Sequence, residues 1–265
     1  MSQFEPAVIV SNKNENVSIF ETIDAIKDAG FKNVFLEWYN KDLEVSQEEQ
    51  LQYVKDKGLN VIFVHLGYES IDNLWIEEET NIVQRYKNDI RSCYENNIPM
   101  VIMHLTNKKN NPTISEIGLK RVKEICDYAK SLNIKIAFEN TKIKEYLYYV
   151  IDNIKNDNVG ICFDTGHYHT HFKDKIDFNR LKNRIFAVHL HDNDQSYDQH
   201  LLPYDGTLNW DKTIKKIKDC NYTGPVTLEI HYRNIYTNIT INKYYKKGYE
   251  IALKIKKIFE EYEKC

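Results

Sequence analysis

Eight short apolar runs, each followed by a polar turn and then a longer stretch of helical period, constrain this chain more than any other feature. The runs are Ala7–Val10, Asn33–Leu36, Val61–Val64, Met100–Met103, Ile134–Phe138, Val159–Phe163, Ile185–Val188 and Val226–Leu228. They are continuously apolar and rich in β-branched residues, as strands buried on both faces of a parallel sheet must be. Eight such units within 265 residues predict an α/β fold, a single (β/α)8 TIM barrel spanning residues 1–265 as one domain. An open doubly wound sheet is the competing arrangement. It normally carries a glycine-rich phosphate turn, and neither G-x-G-x-x-G nor G-x-x-x-x-G-K-[ST] occurs here.

Local signals mark the helices between the runs. Ser46 and Glu49 have capping-box spacing, with Gly58 placed to end the helix that follows. Thr113 and Glu116 repeat that spacing, which predicts a cap at Thr113, and Ile241 to Glu263 reads as a final helix. Long connections follow His104, His191 and Glu229, and in a barrel long loops after strands point to function at that face.

Composition narrows the function classes. A net charge of -3 supplies no broad basic field, which argues against a nucleic-acid-coating surface without excluding local basic patches. The five cysteines are scattered and never form C-x-x-C, so neither a disulfide framework nor a zinc knuckle is expected. No basic leader or run of about 18 apolar residues is present, so a cytoplasmic protein without a membrane partner is expected. A homodimer is compatible with the sequence, but no stretch marks an interface.

The predicted strand ends hold the chemistry. They carry Glu37, His65, His104, Glu139, Asp164, His189 with His191, and Glu229 with His231, and all nine histidines lie at or just after such ends. In a barrel these positions converge on one mouth. Imidazole and carboxylate are ligands for Zn, Mn, Fe or Co, so the expected cofactor is a divalent metal ion, Zn or Mn foremost.

The segments FENT around Glu139, FDTGH at 163–167, VHLHDND at 188–194, DQHLLPYDGTLNW at 198–210 and LEIH around Glu229 resemble, in this order, the xylose-isomerase-like barrel superfamily. That superfamily includes sugar phosphate isomerases and epimerases and the endonuclease-IV-type apurinic nucleases. The resemblance runs from GFKNVFLEWYN in the second unit to LEIH in the eighth. It implies Glu139, Asp164, His189 and Glu229 as ligands of one ion. The nuclease branch further implies His65, His104, His167, Asp198 and His200, which makes one to three ions per chain the expected range.

Two activities follow from the resemblance. The first is metal-dependent isomerisation or epimerisation of a sugar or sugar phosphate, with Glu139 and Glu229 moving the proton from opposite sides. The alternative is a zinc phosphodiesterase of the apurinic-nuclease type with a multinuclear site. GFKNVFLEWYN looks more like the isomerase side, and no long DNA-inserting loop is recognisable. His167, Asn140 and His191 are expected to position substrate or orient ligands. Trp38, together with Trp75, Tyr168 and Phe172, is a candidate pocket wall. Arg233 is the better candidate for a phosphate or carboxylate contact, and Lys108, Lys109, Lys142 and Lys144 are further sources of positive charge.

Overall fold

The computed structural model describes residues 4–11, 13–38, 45–78, 80–107, 112–172, 175–236 and 238–261. Lys108 and Lys109 lie outside these. Eight parallel strands follow in chain order: β1 Pro6–Val10, β2 Asn33–Trp38, β3 Asn60–Leu66, β4 Met100–Met103, β5 Lys135–Glu139, β6 Val159–Asp164, β7 Ile185–His189 and β8 Val226–Leu228. Each of β1 to β6 pairs with the next, and β8 returns to β1 through Pro6↔Val226, Ala7↔Thr227 and Val8↔Leu228. Between β7 and β8 the wall is joined by a single parallel bridge, Leu190↔Leu228. There Leu190 N donates to Thr227 O, and Glu229 N donates to Leu190 O. The result is a nearly closed barrel with helices outside.

Those helices are α1 Ile19–Ala29, α2 Gln47–Asp56, α3 Ile82–Glu95, α4 Glu116–Ser131, α5 Lys144–Asn153, the single turn α6 Thr165–His167, α7 Phe178–Leu181, α8 Trp210–Asp219 and α9 Ile241–Glu261. α6 runs directly into a π-helical turn, Tyr168–Phe172. The Ser46–Glu49 capping box forms as expected. Thr113 does not cap α4. Ser115 does, its hydroxyl accepting from Gly118 N, because the helix starts two residues later than the Thr113–Glu116 spacing implies. α1 ends on Gly30 at φ 108°, where Tyr249 of α9 leaves little space for a side chain.

Several strands run past the apolar runs that announce them. Glu37 pairs with His65, Glu139 with Cys162 and Asp164 with His189, all within the ladder. The polar residues that look like run terminators are thus part of the sheet, and their backbones are fixed by it. Among the described residues no helix is long and apolar enough to cross a membrane.

Candidate metal centre

Alternation along the strands aims the polar ends inward. Phe35 of β2 and Phe63 of β3 lie beneath His189, with Phe35 stacked on the imidazole at 5.1 Å. Two residues further along these strands, Glu37 and His65 occupy the same inward face one layer higher. On the β8 side Ile230 points outward, since a Cβ on Gly248 of α9 would meet its side chain at 2.9 Å. Glu229 and His231 therefore face the mouth.

His189 lies at the centre. Its Nδ1 is 3.3 Å from Glu139 Oε2, 3.4 Å from Glu229 Oε1 and 3.8 Å from Asp164 Oδ2, yet it forms no hydrogen bond. A buried imidazole nitrogen facing three carboxylates without a bond is costly unless a cation lies among them. His189, Glu139, Asp164 and Glu229 are all buried.

Two further groups flank this set. On one side His65 Nε2 is 3.1 Å from Glu139 Oε2 and 3.2 Å from His104 Nε2. His65 Nδ1 lies 3.1 Å from Leu66 O, which only accepts, so Nδ1 carries the proton and Nε2 faces its neighbours with a lone pair. On the other side His200 repeats this logic: Nδ1 donates to Glu229 O at 3.0 Å and Nε2 faces Asp198 Oδ2 at 3.0 Å. His167 bridges the groups, with Nδ1 2.8 Å from Glu139 Oε1 and Nε2 3.3 Å from Asp198 Oδ2. Lone pairs thus oppose lone pairs at separate places, and the residues present fit divalent cations.

The electrostatics follow from crowding. Burial raises the Glu139 carboxyl, but His104, His167 and His189 more than reverse this and hold it well below its ordinary value. Burial pushes Glu229 the other way, and the carboxylates of Asp164 and Glu139 carry it well above. Asp164 is held low against burial by His167 and His191. Burial drives His104 down to about 4 and also lowers His189, which favours the neutral imidazole at both. His65 moves up against burial because of Glu139, so positive charge between them is favoured, be it proton or metal.

All nine ligand-type residues expected from sequence come together at this mouth. The expected supporting residues divide. Asn140 commits its amide to the Asp164 backbone, Nδ2 donating to Asp164 O at 2.9 Å and Oδ1 accepting from Asp164 N at 2.7 Å. That leaves it to orient Asp164. His191 Nε2 lies 3.0 Å from Asp164 Oδ2 and orients that carboxylate. Arg233 reaches the mouth through His231, donating to its Nδ1 at 2.9 Å. Trp38 alternates with Phe35 and Glu37 and is buried on the other face of β2. Trp75 donates to Leu105 O and packs on Tyr146. Tyr168 and Phe172 are buried in the π-helical turn that follows α6. Lys142 is exposed, and Lys144 donates to Lys175 O.

One organising residue gave no signal of its role in the sequence. Asp192 is buried and accepts from Asn193 N and Leu208 N through Oδ1, and from Tyr204 N and Trp210 Nε1 through Oδ2. It shapes the long β7–α8 connection that delivers Asp198 and His200. Gly206 is required there, because a Cβ would fall 2.3 Å from Asp192 Oδ1.

A model of the xylose isomerase-like TIM barrel family matches residues 23–255. The chain belongs to that family. Among its curated relatives are the uncharacterized protein y4fM of Sinorhizobium fredii, 27% identical over 66% of this chain, and a probable endonuclease 4 of Mycoplasma capricolum, 29% identical over 60%. The chain spans only 60% and 62% of the lengths of these two relatives. An inosose isomerase of Halalkalibacterium halodurans is 20% identical over 72% of this chain and 82% of its own. Solved structures share the fold at low identity. A zinc-binding IOLI protein superposes with TM-score 0.71 at 15% identity over 95% of this chain and 98% of its own. A D-allulose 3-epimerase from Methylomonas sp., solved with D-allulose, superposes with TM-score 0.71 at 12% identity over 98% of both chains.

Proposed function

We propose that this member of the xylose isomerase-like TIM barrel family is a divalent-metal-dependent isomerase or epimerase of a sugar or sugar phosphate. One observation carries the reading: Glu139 of β5 and Glu229 after β8 approach the same nitrogen, His189 Nδ1, at 3.3 and 3.4 Å from separate parts of the barrel wall. Two carboxylates on either side of one position are what proton removal and return at a carbon beside a carbonyl require. Glu139, Asp164, His189 and Glu229 would hold the ion, which is Zn or Mn by ligand chemistry and supplies electrophilic stabilisation of negative charge on the substrate. The glutamates take and return the proton. Asn140 holds the Asp164 backbone and His191 its carboxylate, and the phenylalanine floor excludes water from below.

The test is solvent deuterium exchange into a panel of ketoses by protein loaded with zinc or manganese. Exchange that is lost in Glu139→Gln supports the reading, whereas no exchange on any ketose with metal bound would sink it.

The outer groups favour a second reading. His65 with His104, and His167 with Asp198 and His200, supply two more places for ions beside the inner set, which suits hydrolysis of a phosphodiester by a multinuclear centre. Cleavage of an abasic-site duplex by protein carrying two or three zinc ions would establish it in place of the first. About one ion per chain with no cleavage would remove it.

A further inference from the structure

Beyond the proposed ligands, the mouth holds a fixed hydrogen-bond donor with no partner among the described residues. His231 is three residues past β8, faces inward above Glu229, and is buried. Its ring stacks at 4.1 Å on His200, whose other neighbour at 4.1 Å is His191, so three imidazoles stand in a column from the ligand set outward. Arg233 Nη2 is 2.9 Å from His231 Nδ1. A guanidinium has only donors, so Nδ1 is the unprotonated acceptor and the single ring proton lies on Nε2. That Nε2 is buried and makes no hydrogen bond to any described residue. An orphaned N–H in a buried position costs about as much as a lost hydrogen bond, and nothing in the ligand set requires it.

We propose that His231 is a substrate-binding and specificity-determining residue. Its Nε2–H, fixed in that tautomer by Arg233, donates to a hydroxyl or carbonyl oxygen of the bound molecule on the β8 side of the mouth. Arg233 is a positioning residue that acts through His231. This rests on the reading of the mouth as a carbohydrate site. The ligand class is a polyhydroxy carbonyl compound that reaches from the inner ligand set to the rim, with an oxygen placed for this donor. Beside it, just past the neighbouring strand β1, Ser11 and Lys13 both donate to Glu37 Oε2, at 2.8 and 3.4 Å, and offer the mixed donor and acceptor surface that such a chain would meet.

The experiment has two readouts on the zinc-loaded protein. Nitrogen-15 NMR of the histidine rings reports the tautomer: His231 is expected as the Nε2–H form, with that preference lost in Arg233→Met. Calorimetric titration with D-allulose and a panel of other ketoses reports the contact. Loss of one neutral hydrogen bond predicts about tenfold weaker binding in His231→Phe with zinc content unchanged, and recovery of most of it in His231→Gln, which restores a donor. A ketose that binds the wild type and His231→Phe equally overturns this proposal alone, as does an Nδ1–H tautomer. If no ketose binds the wild type, the carbohydrate reading falls and this inference with it.

Discussion

Gly166, in the FDTGH segment, gives the sharpest test of how the centre is held. Its backbone is helical, so alanine imposes no torsional strain, but a Cβ would sit 1.9 Å from His191 Cε1 and 2.4 Å from its Nδ1. The imidazole must retreat by roughly 1.5 Å to reach ordinary contact in a close-packed interior. It has nowhere to go without leaving Asp164 Oδ2, now 3.0 Å from Nε2, or pushing on His200, stacked at 4.1 Å. A charge-assisted hydrogen bond to a buried carboxylate is worth about 1.5–3 kcal/mol, and removing a partner that orients a metal ligand typically weakens metal binding about 10- to 100-fold. Gly166→Ala should therefore bind zinc about 10- to 100-fold more weakly in competition with a chromophoric chelator, while circular dichroism stays native. Gly118→Ala is the control. Its Cβ would meet Trp75 at 2.2 Å in α4, so overpacking should cost about 1–3 kcal/mol of stability and leave zinc affinity unchanged. Wild-type zinc affinity in Gly166→Ala, or an equal loss in Gly118→Ala, would refute the assignment of His191 as the residue that holds Asp164.

Three other outcomes are expected. Chelation should lower the thermal midpoint, and zinc restored at 100 times its Kd should add about 2.7 kcal/mol, a rise of several degrees by differential scanning calorimetry; an unmoved midpoint would contradict a metal centre. Burial raises Asp89 in α3 from 3.8 to about 6, so the stability tied to its neutral form is full below pH 3.8 and lost as pH rises through 6. Asp89→Asn should thus gain on the wild type between pH 4 and 7, by up to about 3 kcal/mol in urea midpoints, and a gap that does not widen with pH would count against it. Arg121 donates to the carbonyls of Asn73, Leu74, Ile76 and Glu78, so Arg121→Met should speed proteolytic cleavage within 73–78 at a cost of about 2 kcal/mol, and unchanged cleavage would show the clamp to be idle.

The barrel was legible because its period is written in local composition: Met100–Met103 and Val226–Leu228 begin and end where their apolar runs do. The cluster at the mouth was legible for a related reason, since Glu139, Asp164 and His189 end apolar runs at positions a barrel must gather. What stayed hidden depends on contacts between distant segments. Asp192 reads like its neighbours in HDND, and only the folded loop shows it bonded to Tyr204, Leu208 and Trp210. Thr113 and Ser115 both satisfy the chemistry of a cap, and hydrogen-bond geometry chose Ser115. The His231–Arg233 pair was visible as residues but not as a tautomer lock, because two side chains two apart meet only through the backbone path after β8.

The lone bridge between Leu190 and Leu228 bears on the order in which the molecule is made. His189 lies on one side of that seam and Glu229 on the other, and β8, three residues long, draws its ladder from β1 at the far end of the chain. A ribosome releasing this polypeptide exposes Glu139, Asp164 and His189 well before Glu229, so a nascent chain has a partial donor set and an open wall until the eighth unit closes. Under the proposed function, completion of the inner donor set and closure of the cylinder are then one event, late in synthesis.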